Sequence, residues 1–305
     1  MSYSYIDFQI NGYMGTDFSS PSLTAEDCER CFSGIITSGT TGFFPTIITS
    51  QMEIYRKNIP ILVRTSQMPL FRNHILGIHL EGPFFNKTQA LGAHNPNYTL
   101  MPKKSIIDEL IDLSEGKIKL ITLGADLYEI TKYIEYIAAK GIMISLGHHV
   151  ANYEQVNNAA SAGASLLTHL GNGLPELVNR HDNPLFAGLT SEKLKVMFIG
   201  DGHHLPDELI KIFKRVKGID NLILTSDAAP LSGLKPGRYN TLGNNVELTK
   251  NGKIFNYEKN CLVGSASMMN SCVDYLLKKK LFSEDEITKI THDNQIKILD
   301  KTVFS

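Results

Sequence analysis

The sequence is short of net charge, of cysteine and of long apolar runs. Its 30 basic and 31 acidic side chains leave a net charge of −1 and are spread along the chain. That pattern excludes the basic footprint of a nucleic-acid binder, a patch for an anionic membrane surface and a charged tail. Four cysteines in 305 residues do not make a disulfide framework. No apolar run approaches the ~20 residues of a transmembrane helix. Met1 is followed almost at once by a polar strand-like segment carrying Asp7 and Gln9, not by a secretory leader, so the cytosol is the expected compartment. Repeats, linkers and low-complexity tracts are also missing. A single domain over residues 1–305 is therefore expected, although a prior of ~150 residues per domain would give two.

Cys28 and Cys31 form a CxxC pair, which invites a zinc or redox reading. The surrounding LTAEDCERCFSGI reads equally as an amphipathic helix opened by Thr24, with both sulfurs near one face. Cys261 and Cys272 supply no second CxxC, and the four are taken as small buried residues.

What the chain does have is alternation. With 42% hydrophobic residues it can bury a large core, and strand-like and helix-like periods follow one another from end to end. Strands are expected at 5–10, 41–48, 75–80, 118–123, 142–146, 165–167, 195–199 and 222–225, with Pro45 marking an early end to the second. Eight strands with intervening helices predict an α/β fold, a (β/α)8 TIM-type barrel. An excursion at about 230–260 follows, where Asn251-Gly252 between short alternating runs predicts a β-hairpin. Two helices, 265–280 and 283–299, close the chain.

In such a barrel all strands end on one edge, and there the polar residues gather. Glu81 ends the third strand, His148 the fifth, His169 the sixth, Asp201, His203 and His204 the seventh, and Asp227 the eighth. Two histidines and one carboxylate make a three-ligand set that leaves a position for water. A divalent metal lowers the pKa of that water to roughly 7, and a further carboxylate can move its proton to a leaving group. Glu81, His148 and His169 suit the first role and Asp227 the second, which points to metal-assisted hydrolysis of an amide or ester. Each residue alone has a plainer reading. Asp227 before Ala-Ala-Pro could cap a helix, Glu81 before Gly-Pro could be solvated, and the histidines could be unrelated strand ends.

The blocks IDFQINGYMG, GIHLEGPFFN, GAHNPNY, SLGHHV, THLGNGLP, GDGHHL, LTSDA and LVGSASMM, in that order over roughly residues 5 to 300, resemble the N-acetylglucosamine-6-phosphate deacetylase family of the amidohydrolase superfamily. The resemblance implies removal of acetate from an N-acetyl amino-sugar phosphate, N-acetylglucosamine 6-phosphate first. A galactosamine analogue, an unphosphorylated biosynthetic intermediate and a non-catalytic sugar-phosphate-binding barrel stay open beside it. It implies Glu81, His148 and His169 as metal ligands and Asp227 as catalytic acid–base. It implies His94 near the acetamido group, Asn172 and Gly173 on the phosphate, and His204 and Arg180 as further substrate contacts. Arg180 would act across a homodimer interface; on sequence alone it is a solvated loop charge. The metal could be zinc, iron(II), manganese or cobalt, with zinc favoured.

Departures from the family pattern carry expectations of their own. The superfamily's first strand often bears His-x-His, which supports a second metal, whereas this chain has Gln9 and Asn11, so one metal per subunit is implied. Family chains also build a small β-sandwich from both ends. This chain starts just before its first strand and stops after its last helix, so a barrel without that sandwich is expected. The phosphate loop reads Gly171-Asn172-Gly173 where the family has an aromatic, Asn and Ala, and Gly171 is expected to open room beside the site.

Overall fold

Strands that point the same way need crossovers between them, and the helical segments supply these. The computed structural model describes residues 4–303. Strands β1 (Tyr5–Ile10), β2 (Thr40–Ile48), β3 (Ile78–Glu81), β4 (Ile118–Leu123), β5 (Met143–Leu146), β6 (Leu166–Leu167), β7 (Lys195–Ile199) and β8 (Leu222–Thr225) lie side by side in sequence order, all parallel. A parallel bridge between Ile10 and Ala228, with the Asn11 N–H donating to Ala228 O at 2.8 Å, brings the last strand against the first. The barrel expected from the alternation is formed.

The helices α1 (Ala25–Thr37), α2 (Met52–Gln67), α3 (Lys104–Leu113), α4 (Ile130–Ala138), α5 (Tyr153–Ser161), α6 (Pro184–Thr190) and α7 (Asp207–Lys217) connect successive strands. The first shows how local signals set an element. Thr24 caps α1 by accepting from Asp27 N, and Asp27 answers with a bond from the Thr24 N–H. Its inner face buries Cys28, Cys31, Phe32 and Ile35, and burial pushes the Cys28 thiol up to about 12, far from a reactive thiolate.

Strand alternation sorts the barrel interior into layers. An apolar layer is built by Phe8, Phe44, Leu120, Met143, Leu166, Met197 and Ile223, with the Phe8 and Phe44 rings stacked at 4.9 Å. Cutting such a fully buried ring to alanine costs ~3–5 kcal/mol. Two residues further along the strands lies a buried polar layer. His79 pairs through Nε2 with Thr122 Oγ1 at 2.8 Å, Thr122 with Thr168 at 2.7 Å, and Thr168 donates to Ser145 Oγ at 2.6 Å. Burial drops His79 to about 4, so this layer is uncharged and supports the strand ends above it on a satisfied platform.

Pro45 does not end β2. Where β1 passes it the register slips between Asp7 and Ile10, and the Ile10 N–H goes to Thr46 Oγ1 at 3.2 Å. A side chain thus replaces a rung of the ladder beside the proline.

After β8 the chain forms an antiparallel sheet, β9 (Gly237–Thr241), β10 (Asn244–Leu248), β11 (Ile254–Asn256) and β12 (Cys261–Leu262). The expected hairpin is β10–β11, with Glu247 opposite Phe255 and Leu248 opposite Ile254. Helices α8 (Met269–Lys278), α9 (Glu284–Thr288) and α10 (Asn294–Val303) follow, the last two joined by a wide π turn at Lys289–Asp293.

Candidate active site

Glu81 is the last residue of its strand, whereas the other three strand ends deliver their side chains through an unusual backbone turn. His148, His169 and Asp227 follow their strands with φ of 52°, 30° and 51°, in the left-handed region that non-glycine residues seldom adopt. The turn reaims each side chain at the mouth of the barrel, and local strain of this kind gathers at functional positions. The sequence signal was present only as polar residues abruptly following apolar runs.

Glu81, His148 and His169 meet there, all buried. Glu81 Oε1 lies 3.2 Å from His148 Nε2 and 2.9 Å from His169 Nε2, and the two Nε2 atoms are 3.2 Å apart. His94 Nε2 stands 3.2 Å from His148 Nε2 and 3.8 Å from Glu81 Oε2. His148 donates through Nδ1 to Ala90 O at 2.9 Å, so the neutral ring turns a bare lone pair on Nε2 toward the others. Lone pairs of this kind facing one another across about 3 Å have too few protons to satisfy them. A cation satisfies them all, and the donor set of two imidazoles and a carboxylate fits a divalent one.

Electrostatics inside the cluster follow from its burial. For Glu81, burial works to raise the pKa, but the close approach of His148 and His169 outweighs it and holds the carboxyl well below its ordinary range. His169 is drawn up despite burial by its bond to Glu81. Burial and then His148 drop His94 to about 3. Asp227, beyond the cluster, is raised to about 6 by burial and next by the charge of Glu81. Its Oδ1 accepts from Gln9 Nε2 at 2.9 Å and Asn11 Nδ2 at 2.7 Å. The two residues standing at the His-x-His positions are thus occupied with Asp227.

These groups floor a cavity of about 1290 Å³, whose walls include His94, Asn172, Gly173 and His204. Arg180 does not line it and lies on an exposed loop. Gly173 (φ 62°) touches the site through its missing side chain, since a Cβ there would stand 2.8 Å from His148 Nδ1. Gly171 lines the cavity too, but the direction a side chain would take from it is filled. A Cβ on it would meet Leu205 Cδ2 at 2.7 Å, with Leu209 and Phe213 behind, so the space is already packed. The neighbouring histidines of both His-His pairs have other tasks. His149 is buried and accepts from Ala151 N, and His203 donates through Nε2 to Asn251 O at 2.8 Å, pinning the tip of the β10–β11 hairpin. No helix among the described residues is long and apolar enough to cross a membrane.

No protein-family model matches the chain. Among curated proteins, the N-acetylglucosamine-6-phosphate deacetylase of Bos taurus is 33% identical over 286 residues, covering 90% of this chain and 68% of that protein. An N-acetylgalactosamine-6-phosphate deacetylase of Escherichia coli is 25% identical over 88% of this chain and 70% of its own length. The crystal structure of N-acetylglucosamine-6-phosphate deacetylase from Pasteurella multocida superposes with a TM-score of 0.89 at 27% identity, over 99% of this chain and 77% of that one. Identity at this level along nearly the whole barrel places the chain in the N-acetylglucosamine-6-phosphate deacetylase family.

Proposed function

We infer that the protein is a metal-dependent deacetylase of an N-acetyl amino-sugar phosphate, converting N-acetylglucosamine 6-phosphate to glucosamine 6-phosphate and acetate. The observation that carries the reading is the convergence of Glu81, His148 and His169 on one point, with a buried carboxylate, Asp227, in the same cavity. Those three residues would hold one divalent cation, which when bound supplies Lewis acidity, acidifying water to a pKa of roughly 7 and polarising a carbonyl.

The chain's own groups do the rest. Asp227 takes a proton from the attacking water and returns it to the departing amine. A pKa near 6 suits that two-way task near neutral pH. With Oδ1 held by Gln9 and Asn11, the proton is carried on Oδ2. His94 is neutral by virtue of its low pKa and is placed to donate a hydrogen bond to the acetamido oxygen as charge develops there. Asn172, Gly173 and His204 hold the sugar phosphate. The reading extends to zinc as the cation, with iron(II), manganese and cobalt competing for the same donors. It extends also to a cytoplasmic homodimer in which the exposed Arg180 of one subunit completes the phosphate contacts of the other.

The test is acetate release from N-acetylglucosamine 6-phosphate, with the unphosphorylated sugar alongside, after metal is added back. Turnover of the phosphorylated sugar alone, abolished by chelator, is the expected result; no turnover of either would reject the substrate. The Escherichia coli relative gives a reason to include N-acetylgalactosamine 6-phosphate, and a higher kcat/KM on that sugar would move the assignment to it.

A further inference from the structure

Two of the sequence blocks, GDGHHL and LVGSASMM, contain residues to which neither the fold nor the chemistry above gives a task. Asp201 and Ser265 come from these blocks, and the fold brings them together. Asp201 Oδ2 accepts from His204 Nδ1 at 2.8 Å and from Ser265 Oγ at 2.7 Å. Its Oδ1 accepts from the backbone N–H groups of His203 at 2.8 Å and His204 at 3.0 Å. The Asp201 side chain is 1% exposed, so its four protein donors hold it away from bulk solvent. Ser265 is fixed in turn, its N–H donating to Asp227 O at 2.9 Å and its carbonyl accepting from Ala229 N at 2.8 Å and Ser232 Oγ at 2.8 Å.

We propose that Asp201, held by Ser265, is a positioning residue that fixes the ring of His204 with the proton on Nδ1, so that Nε2 offers its lone pair to a hydroxyl of the bound sugar phosphate. A carboxylate can satisfy four donors at once, whereas an amide at the same place must turn an N–H toward one pair of them. The arrangement therefore selects both the charge state of Asp201 and the tautomer of His204. It also ties the substrate contact to the backbone of Asp227, the proposed acid–base, through a single serine. The dyad's part in binding rests on the sugar-phosphate reading above; its ring geometry does not.

Asp201→Asn and Ser265→Ala test this on the metal-loaded protein. In the wild type, nitrogen-15 spectra of the labelled histidines should show His204 protonated at Nδ1, identified by its loss in His204→Gln. In Asp201→Asn the amide should turn Nδ1 into an acceptor and move that signal. KM for N-acetylglucosamine 6-phosphate should rise about 10- to 100-fold, as for loss of a charged hydrogen bond, with the loss in KM exceeding that in kcat. Ser265→Ala, which removes no charge, should give a smaller rise in the same direction. Asp201→Asn combined with His204→Gln should be no worse than His204→Gln alone. With the unphosphorylated sugar as a competitive inhibitor, a comparable rise in its Ki would assign Nε2 to a hydroxyl, whereas a rise confined to the phosphorylated sugar would require a second proton on Nε2 facing phosphate and would overturn the tautomer assignment. An unmoved His204 signal, or additive losses in the double variant, would overturn the proposal. The spectrum needs no substrate, so inactivity of the wild type on this sugar would reject the substrate and leave the dyad to be judged on its own signal.

Discussion

Two amide donors on a single oxygen decide which side of Asp227 can carry a proton. Gln9 and Asn11 occupy Oδ1, and burial with the charge of Glu81 lifts the carboxyl to about 6. A base must be ionised to act, so kcat/KM should fall as pH drops through about 6 and level off above it. A profile flat down to pH 5 would remove Asp227 from the mechanism. Asp227→Asn keeps the shape and the donors but cannot take a proton. Turnover should drop by about 10²–10⁴, while metal content measured by elemental analysis stays near one ion per chain. That Glu81, His148, His169 and Asp227 gather at one edge of the barrel was legible in the sequence because each follows an apolar run. The left-handed turns that aim His148, His169 and Asp227 were not, since positive φ at a histidine or aspartate leaves no mark on residue type. Neither could the packing of Leu205 against Gly171 be read, because the two residues are remote in sequence.

At the scale of elements, the antiparallel sheet acts on the loop that carries His94. Asn244 is buried, donating through Nδ2 to Ala93 O at 3.1 Å and Leu242 O at 2.7 Å, and its Oδ1 accepts from Asn256 at 3.0 Å. Lys259 Nζ donates to the same Ala93 carbonyl at 2.9 Å. Asn244→Leu would strip Asn256 of its acceptor and Ala93 of one donor, at a cost of roughly 1–3 kcal/mol for a buried unsatisfied group. Thermal unfolding should show a lower Tm, and kcat/KM should fall as His94 loosens; an unchanged Tm would mean the loop holds itself. The hairpin core of this sheet was readable from Asn251-Gly252. Its outer strands were not. The β9 segment GRYNT is polar and largely uncovered, and β12 has only two residues, so neither makes a period. Helix α6 hid similarly behind a glycine- and proline-bearing loop, since its seven residues, capped by Asn183 with Pro184 first, are too short for a pattern.

For the whole molecule, the three proposed ligands lie on β3 and just beyond β5 and β6, and the proposed acid–base lies just beyond β8, at the seam that meets β1. His148 and His169 hold their Nε2 atoms 3.2 Å apart beside Glu81, a set of acceptors whose mutual repulsion a bound cation would relieve. A cation binds this assembled set and finds no such set in the unfolded chain. At a free concentration a hundredfold above its Kd it stabilises the fold by about 2.7 kcal/mol, which for a chain of this size raises Tm by several degrees. Removal of metal by a chelator should therefore lower Tm by that amount, and zinc, iron(II), manganese or cobalt should restore it to different extents. The size of the recovery ranks the metals without any assay of turnover. In Glu81→Gln the carboxylate is lost and the recovery should shrink or vanish, while a buried cluster that served only structure would unfold at the same temperature with metal or without it.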